Sequence, residues 1–201
     1  MTALLQEIRI LEEALDAELA KRRVEFNYAI HSGKVHFEQV MIARHRAVKM
    51  RLSRYLLESR PLMLLTAPLI YSLVVPFALL DLCVTVYQAV CFRVYRIPRV
   101  CRQEYFCFDR GHLAYLNVIE KLNCLYCSYA NGLIGYVREV ASRTEQYWCP
   151  IKHARRVIAT HERYSRFIDY GDAEAYRRDF PAMRQQVQKA PNDPGGRSSG
   201  T

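Results

Sequence analysis

Apolar residues near the N-terminus recur at helical spacing. They step by four, three and four residues, at Leu4, Ile8, Leu11 and Leu15. This is the pattern of a coiled-coil seam and predicts a helix over residues 3–30. Gly33 is a favoured helix stop, after which a second helix, basic towards its end, is predicted over residues 34–59. Residues 1–60 are therefore predicted to form a helical hairpin, whose seam packs within the chain, against a protein partner or against a second copy of the chain.

The next feature is an apolar run over residues 62–92, in which Asp81 is the only charged residue. A stretch of about 18 to 20 apolar residues is long enough to cross a bilayer. Basic residues flank both ends, and the positive-inside rule disfavours carrying either flank across. The run measures about 46 Å as a helix, too short for two spans, and two internal prolines would kink it. A membrane-embedded segment is therefore predicted over residues 61–93, as a re-entrant hairpin or, second, as a single tilted span.

The remaining chain predicts a compact helical domain over residues 94–190 and a tail over residues 191–201 that is disordered because it is rich in Pro, Gly and Ser. A new helix is expected to begin at Pro150, which suits the first helical position, and to run to about Tyr170. A terminal helix is expected after Asp172, which suits the cap. The fold class is therefore mainly α, with an N-terminal helical hairpin, a membrane-embedded segment and a compact C-terminal helical domain.

Residues 112–147 carry a helical apolar face with one point of ambiguity. Asn131 and Gly132 form a pair that often ends a helix, so a break is favoured there. The alternative is a continuous helix in which Ser128, Gly132 and Gly135 form a small-residue groove for close packing.

The strongest candidate chemistry is a pair of motifs, C-x2-C and C-x3-H, separated by 21 residues. Their residues are Cys124, Cys127, Cys149 and His153. Three thiols and an imidazole are the donors of a Cys3His structural zinc site, and residues three or four apart share one helix face. Zinc is the first candidate, with iron or an iron–sulfur cluster as the alternative, because soft thiolates suit all of these. Two other interpretations stay open: buried cysteines with a surface histidine, or a redox thiol pair.

A second candidate site would bind a polar headgroup or a small anion. Its predicted donors are Arg138, Arg143 and Lys152, around an aromatic and polar segment; a structural hydrogen-bond lattice is the alternative interpretation. The chain has 29 Lys and Arg against 20 Asp and Glu, a net charge of +9 that favours anionic partners. Because the basic residues cluster beside the apolar run, anionic lipid headgroups are preferred over nucleic acid as the partner.

No catalytic signature stands out in the sequence. Glycine-rich phosphate loops, a G-x-S-x-G elbow and an H-E-x-x-H pair are all absent, so enzymatic activity is not predicted. Residues 1–30 are charged throughout and lack the apolar core of a signal peptide. The thiols are therefore expected to be reduced, in a cytosolic compartment.

The central stretch from Asp109 to Arg156 contains the motifs IEKLNCLYCSYANG and RTEQYWCPIKHARR. It resembles a family of bacterial membrane-associated proteins of unestablished function, over roughly residues 75–156. The resemblance implies a bacterial inner-membrane setting and supplies no activity or ligand.

Together these features predict a membrane-attached, metal-stabilised adaptor or assembly protein without catalytic activity of its own. It is expected at the inner membrane, with most of the chain facing the cytoplasm and a protein partner or second copy bound through the N-terminal helices. The alternative is a membrane-associated iron or iron–sulfur redox protein or enzyme that uses Cys124, Cys127, Cys149 and His153.

Overall fold

A computed structural model shows a mainly helical protein, as the sequence predicts. It describes residues 2–26, 28–31, 34–51, 54, 57, 61–158 and 160–190. The elements are α1 (Thr2–Glu25), β1 (Tyr28–His31), β2 (Lys34–Phe37), α2 (Gln39–Ala47), α3 (Pro61–Ser72), α4 (Val74–Tyr87), a π-helical turn (Gln88–Phe92), α5 (Arg93–Tyr95), α6 (Val118–Trp148) and α7 (Ala173–Lys189). The predicted disordered tail lies outside the described residues.

The chain forms two compact units. The first unit comprises Met1–Leu64 and Phe108–Leu125, and the second comprises Leu65–Cys107 and Tyr126–Thr201. Helices α3 and α6 each contribute residues to both units.

In the first unit, two strands take the place of the predicted helix-to-helix turn. Strands β1 and β2 pair antiparallel, with Tyr28 opposite Phe37 and ring centroids 5.6 Å apart. Aromatic and β-branched side chains at alternating positions favour a pleated strand, and this local pattern outweighs the helical spacing that continues from α1. The predicted second helix over 34–59 is accordingly wrong at its start, and α2 ends at Ala47.

Helix α6 is continuous, so the predicted break at Asn131 and Gly132 is wrong. Its start is fixed by a capping box, in which the Asn117 side chain accepts from the Glu120 amide at 3.0 Å and the Glu120 carboxylate accepts from the Asn117 amide at 2.8 Å. The Asn131 side chain donates to the Cys127 carbonyl oxygen one turn earlier, at 2.8 Å. The Asn131 side chain thus bonds within the helix, and the Asn131–Gly132 pair does not end it.

The segment after α6 is irregular where a helix was predicted from Pro150 to about Tyr170. Ile151 and Ile168 form a parallel bridge, so the chain leaves α6 and returns to the same place through a loop and a short 3-10 turn. The predicted terminal helix is confirmed as α7, and the Asp172 carboxylate caps it by accepting from the Ala175 amide at 2.8 Å.

The core of the second unit joins the end of the apolar run to the middle of α6. Its buried members are Phe92, Ile97, Val100, Leu133, Tyr136, Val140 and Val187. Leu133, Tyr136 and Val140 lie at helical spacing on one face of α6, and Val187 comes from α7. This core holds one side of α4 and the π-helical turn against the rest of the unit, which decides what remains exposed on the other side.

Candidate membrane-binding surface

One helix in the described part of the chain, Leu65–Tyr95, is long and apolar enough to cross a membrane, with a mean hydropathy of 2.2. Leu73 joins α3 to α4 with right-handed helical dihedrals, φ −64° and ψ −14°. The chain therefore continues in one direction, and the predicted re-entrant hairpin is not formed. Pro76 does not force a reversal because it lies in the first turn of α4, where a missing N–H is tolerated.

The helix is one-sided from α4 onward. Its inner face contacts the core through residues spaced by about one turn, namely Phe77, Asp81, Val84, Gln88 and Phe92. Its outer face carries a row of apolar side chains that we call the apolar stripe: Val75, Leu79, Leu82, Val86, Val90 and Val94. The stripe residues are between 54 and 72 % exposed. Such a contiguous exposed apolar surface marks a membrane or protein contact.

The inner face neutralises the only charge of the apolar run. The Arg102 guanidinium donates to both oxygens of the Asp81 carboxylate, at 3.1 and 2.6 Å, and the Tyr129 hydroxyl donates to it at 3.1 Å. The Asp81 side chain is only 14 % exposed. A carboxylate without partners is costly in an apolar setting, and these contacts with Arg102 and Tyr129 lower that cost.

The buried side chain of Gln88 hydrogen-bonds the end of the apolar run to the core of the second unit. The Gln88 amide donates to the Val100 carbonyl oxygen at 3.3 Å and to the Tyr136 hydroxyl at 3.2 Å, and it accepts from the Val100 amide at 2.8 Å. The π-helical turn that begins at Gln88 brings both Gln88 and Phe92 into the core. One extra residue in a helical turn shifts the following side chains to another face; such π-turns are rare and often lie at functional positions.

The structure does not bring the four predicted metal ligands together. Among the described residues, no group of three or more His, Cys, Asp or Glu side chains is placed to hold a metal ion. Cys127 and Cys149 are 22 residues apart. The Cys149 amide donates to the Glu145 carbonyl oxygen, so the helical hydrogen bonds extend to Cys149, and 22 residues of helix span about 33 Å. The predicted convergence requires α6 to break, and it does not.

The individual ligands also have other surroundings. Cys124 lies on α6 in the first unit, three residues before Cys127. Partial desolvation and the nearby Glu145 carboxylate raise the pKa of the Cys149 thiol. The His153 ring stacks on Tyr164 with centroids 6.0 Å apart, and the His153 amide donates to the Tyr164 hydroxyl at 2.6 Å.

The three predicted anion donors are each engaged by the protein itself. Arg143 is fully buried, donating to Glu139 at 2.8 Å and to the Pro98 carbonyl oxygen at 2.7 Å. Lys152 pairs with Asp169 at 2.8 Å, and Arg138 donates to the carbonyl oxygen of Thr160. The contacts of Arg143 fit the alternative interpretation of the sequence, in which it belongs to a structural hydrogen-bond lattice.

Sequence reasoning missed a groove of about 470 Å³ beside α6. Residues at its wall include Leu80, Ser142, Glu145 and His161. His161 Nε2 and Glu145 Oε2 are 2.8 Å apart, while within the described residues neither His161 Nδ1 nor the Ser142 hydroxyl has a hydrogen-bond partner. Nothing in the sequence spacing signals this pair, because residues 145 and 161 meet only through the irregular loop after α6.

The comparisons with known proteins give no further information about this chain. No protein-family model matches it, and no curated protein or solved structure matches it significantly. The resemblance of the Asp109–Arg156 stretch therefore rests on its motifs alone.

Proposed function

We propose that the protein is a membrane-attached adaptor or assembly factor without catalytic activity of its own. The observation that carries this proposal is the apolar stripe, which stays exposed although the opposite face of the same helix packs against the core of a folded unit. Removing such a surface from water is favourable by about 25 cal/mol per Å², so it needs a lipid or protein cover.

The charge around the stripe favours lipid as that cover. Arg93, Arg96 and Arg99 follow the run and are all exposed. Basic residues at a membrane surface each contribute about 1 kcal/mol of attraction to anionic headgroups. The bilayer partner is therefore an anionic leaflet, and the inner membrane with the bulk of the chain in the cytoplasm is the location that fits this charge.

Helix α1 supports the adaptor part of the proposal. Its seam residues Leu11 and Leu15 are 64 and 60 % exposed, and Leu19 is 43 % exposed. An isolated helix gains little stability in water without packing of its apolar face, so α1 is suited to bind a helix of another protein or of a second copy. The metal-dependent alternative has no such support, because the continuous helix α6 holds Cys127 far from Cys149.

Vesicle sedimentation tests the membrane part directly. We expect the protein to sediment with vesicles that contain anionic phospholipid, and less with purely neutral vesicles. The double variant Leu82→Asp and Val86→Asp is expected to lose at least tenfold in binding, because it puts two charges on the stripe. Val24→Asp is the matched control, since Val24 is 77 % exposed on α1, outside the stripe. Equal binding of the stripe variant and the wild type would refute the proposal.

A further inference from the structure

We infer that the apolar stripe lies in the plane of the membrane surface, so that α4 and α5 rest on one leaflet and do not cross it. This rests on the proposed membrane attachment and names the geometry by which the protein would meet the lipid. The lipid contact is the outer face alone, from Val75 to Val94, with the folded unit on the solvent side of the helix.

The position of the Asp81 pair argues against crossing. Asp81 lies at the middle of the candidate span Leu65–Tyr95, so a crossing centred on this helix would place it near the bilayer centre. Arg102, bound to Asp81, is 43 % exposed, and the polar residues Gln103 and Glu104 that follow it are exposed as well. A crossing in which α4 spans the bilayer would carry these groups into hydrocarbon, whereas the in-plane orientation leaves them in water.

The irregular backbone beside α4 leads to the same conclusion. Residues 97–101 have no regular secondary structure and run beside α4, since Val100 contacts Gln88 and Arg102 contacts Asp81. Irregular backbone at membrane depth is tolerated only where protein buries it. Ile97 and Val100 are buried in the core, but Arg99 is exposed, Cys101 is only partly buried and residues 102–104 are exposed, so part of this segment would meet hydrocarbon if α4 crossed.

The stripe has the form of an interfacial contact. Its residues are spaced by four, three, four, four and four, which keeps them on one face of the helix. From Val75 to Val94 it extends about 28 Å, while an in-plane helix inserts only about 5 to 10 Å into the headgroup boundary. The exposed Arg93 and Arg96 at its end suit anionic headgroups, and both ends of the helix stay on one side, as their basic flanks require.

Tryptophan depth measurements separate this geometry from crossing. The chain has one tryptophan, Trp148, so a Trp148→Phe background allows single replacements at Leu79, Leu82, Val86 and Val90. Full-length protein is bound to anionic vesicles containing lipids brominated at a shallow or a deep acyl position, and unbrominated vesicles serve as the control. We expect all four variants to be quenched by the shallow bromines, with depths equal within about 3 Å, because an in-plane helix keeps one face within a layer about 5 to 10 Å thick.

Other results overturn the inference in distinguishable ways. A depth that passes through the bilayer centre near Leu82 and becomes shallow again at Val90 would show crossing, and would leave membrane attachment intact. Sedimentation with vesicles without quenching at any stripe position would show that another surface binds lipid. Failure of the Trp148→Phe protein and the wild type alike to bind vesicles would instead refute the proposed function itself.

Discussion

Gly132 on α6 lies directly against the main chain of Tyr105. A Cβ atom at Gly132 would stand 2.6 Å from the Tyr105 carbonyl oxygen and 3.0 Å from Cδ1 of Phe106. At Gly135, one turn later, the closest atom would be Cδ1 of the Tyr105 ring at 3.2 Å. The two glycines therefore leave room for the segment after α5 to pack closely against α6. The same segment carries Arg102, which pairs with Asp81.

This close contact makes Gly132 sensitive to substitution. We expect Gly132→Ala to lower the free energy of unfolding by about 1 to 3 kcal/mol, because the new methyl group meets backbone that has little room to shift. Gly135→Ala should cost less, since a tyrosine ring can rotate away. Gly111→Ala is the control, with no atom within 4 Å of the added methyl. Urea unfolding would measure all three, and equal stability of the first two variants would contradict the close contact between Gly132 and the Tyr105 backbone.

The buried Arg143 is predicted to be essential for stability and unrelated to anion binding. Arg143→Met should lower the free energy of unfolding by about 3 kcal/mol, because removing one partner of a buried ion pair leaves the other uncompensated. Arg163 also pairs with Glu139, so the Glu139 carboxylate keeps one cationic partner and the expected loss of stability is no larger than this. Adding Glu139→Gln to Arg143→Met should recover part of it. A phosphate-dependent rise in melting temperature that vanishes in Arg143→Met would instead support the anion site.

The Asp81–Arg102 pair should couple α4 to the returning segment. In a double-mutant cycle with Asp81→Asn and Arg102→Gln, we expect a coupling free energy of about 1 kcal/mol, since the arginine is partly exposed and solvent screens the interaction. Asp179→Asn is the matched control, because Asp179 pairs with Arg178 at the surface, and it should leave the melting temperature unchanged. Zero coupling would show that Arg102 does not hold the segment in place.

We expect the free energy of unfolding to fall at alkaline pH because of Tyr105. Burial, reinforced by the Glu139 carboxylate, raises the pKa of Tyr105 to about 12. The folded state therefore holds this proton more tightly than the unfolded state does, and the resulting stability is complete below pH 10 and lost as the pH rises from about 10 towards 12. Tyr105→Phe should show a smaller fall in its urea midpoint between pH 9 and about 11.5. An identical fall in both proteins would place Tyr105 in contact with solvent.

The sequence predicted the parts of this structure that depend on local patterns. The apolar run, the α7 cap at Asp172 and the mainly helical class follow from hydropathy and capping, which act within a few residues. The partner of Asp81 was not predictable, because Arg102 is 21 residues away and reaches it through an irregular segment.

Asn131 and Gly132 explain why the four predicted metal ligands do not converge in the described part of the chain. Read locally, this dipeptide ends a helix, and the metal hypothesis needed that end. The tertiary structure uses the missing side chain of Gly132 for close approach to Tyr105, so the helix continues and carries Cys127 and Cys149 apart. The small-residue groove, the alternative weighed for the same residues, is what the structure shows at Gly132 and Gly135.

Metal analysis decides between the continuous helix and the predicted Cys3His site. With Cys127 and Cys149 about 33 Å apart, we expect a strong zinc chelator to leave the melting temperature of the purified protein unchanged. We also expect any bound zinc or iron to be equal in the wild type, Cys127→Ser and Cys149→Ser. Cys83→Ser is the control, a cysteine outside the four predicted ligands. One metal equivalent that is lost in Cys127→Ser and Cys149→Ser but kept in Cys83→Ser would mean that α6 breaks near Gly132 in solution, because only a reversal of the chain there brings the two thiols to one ion.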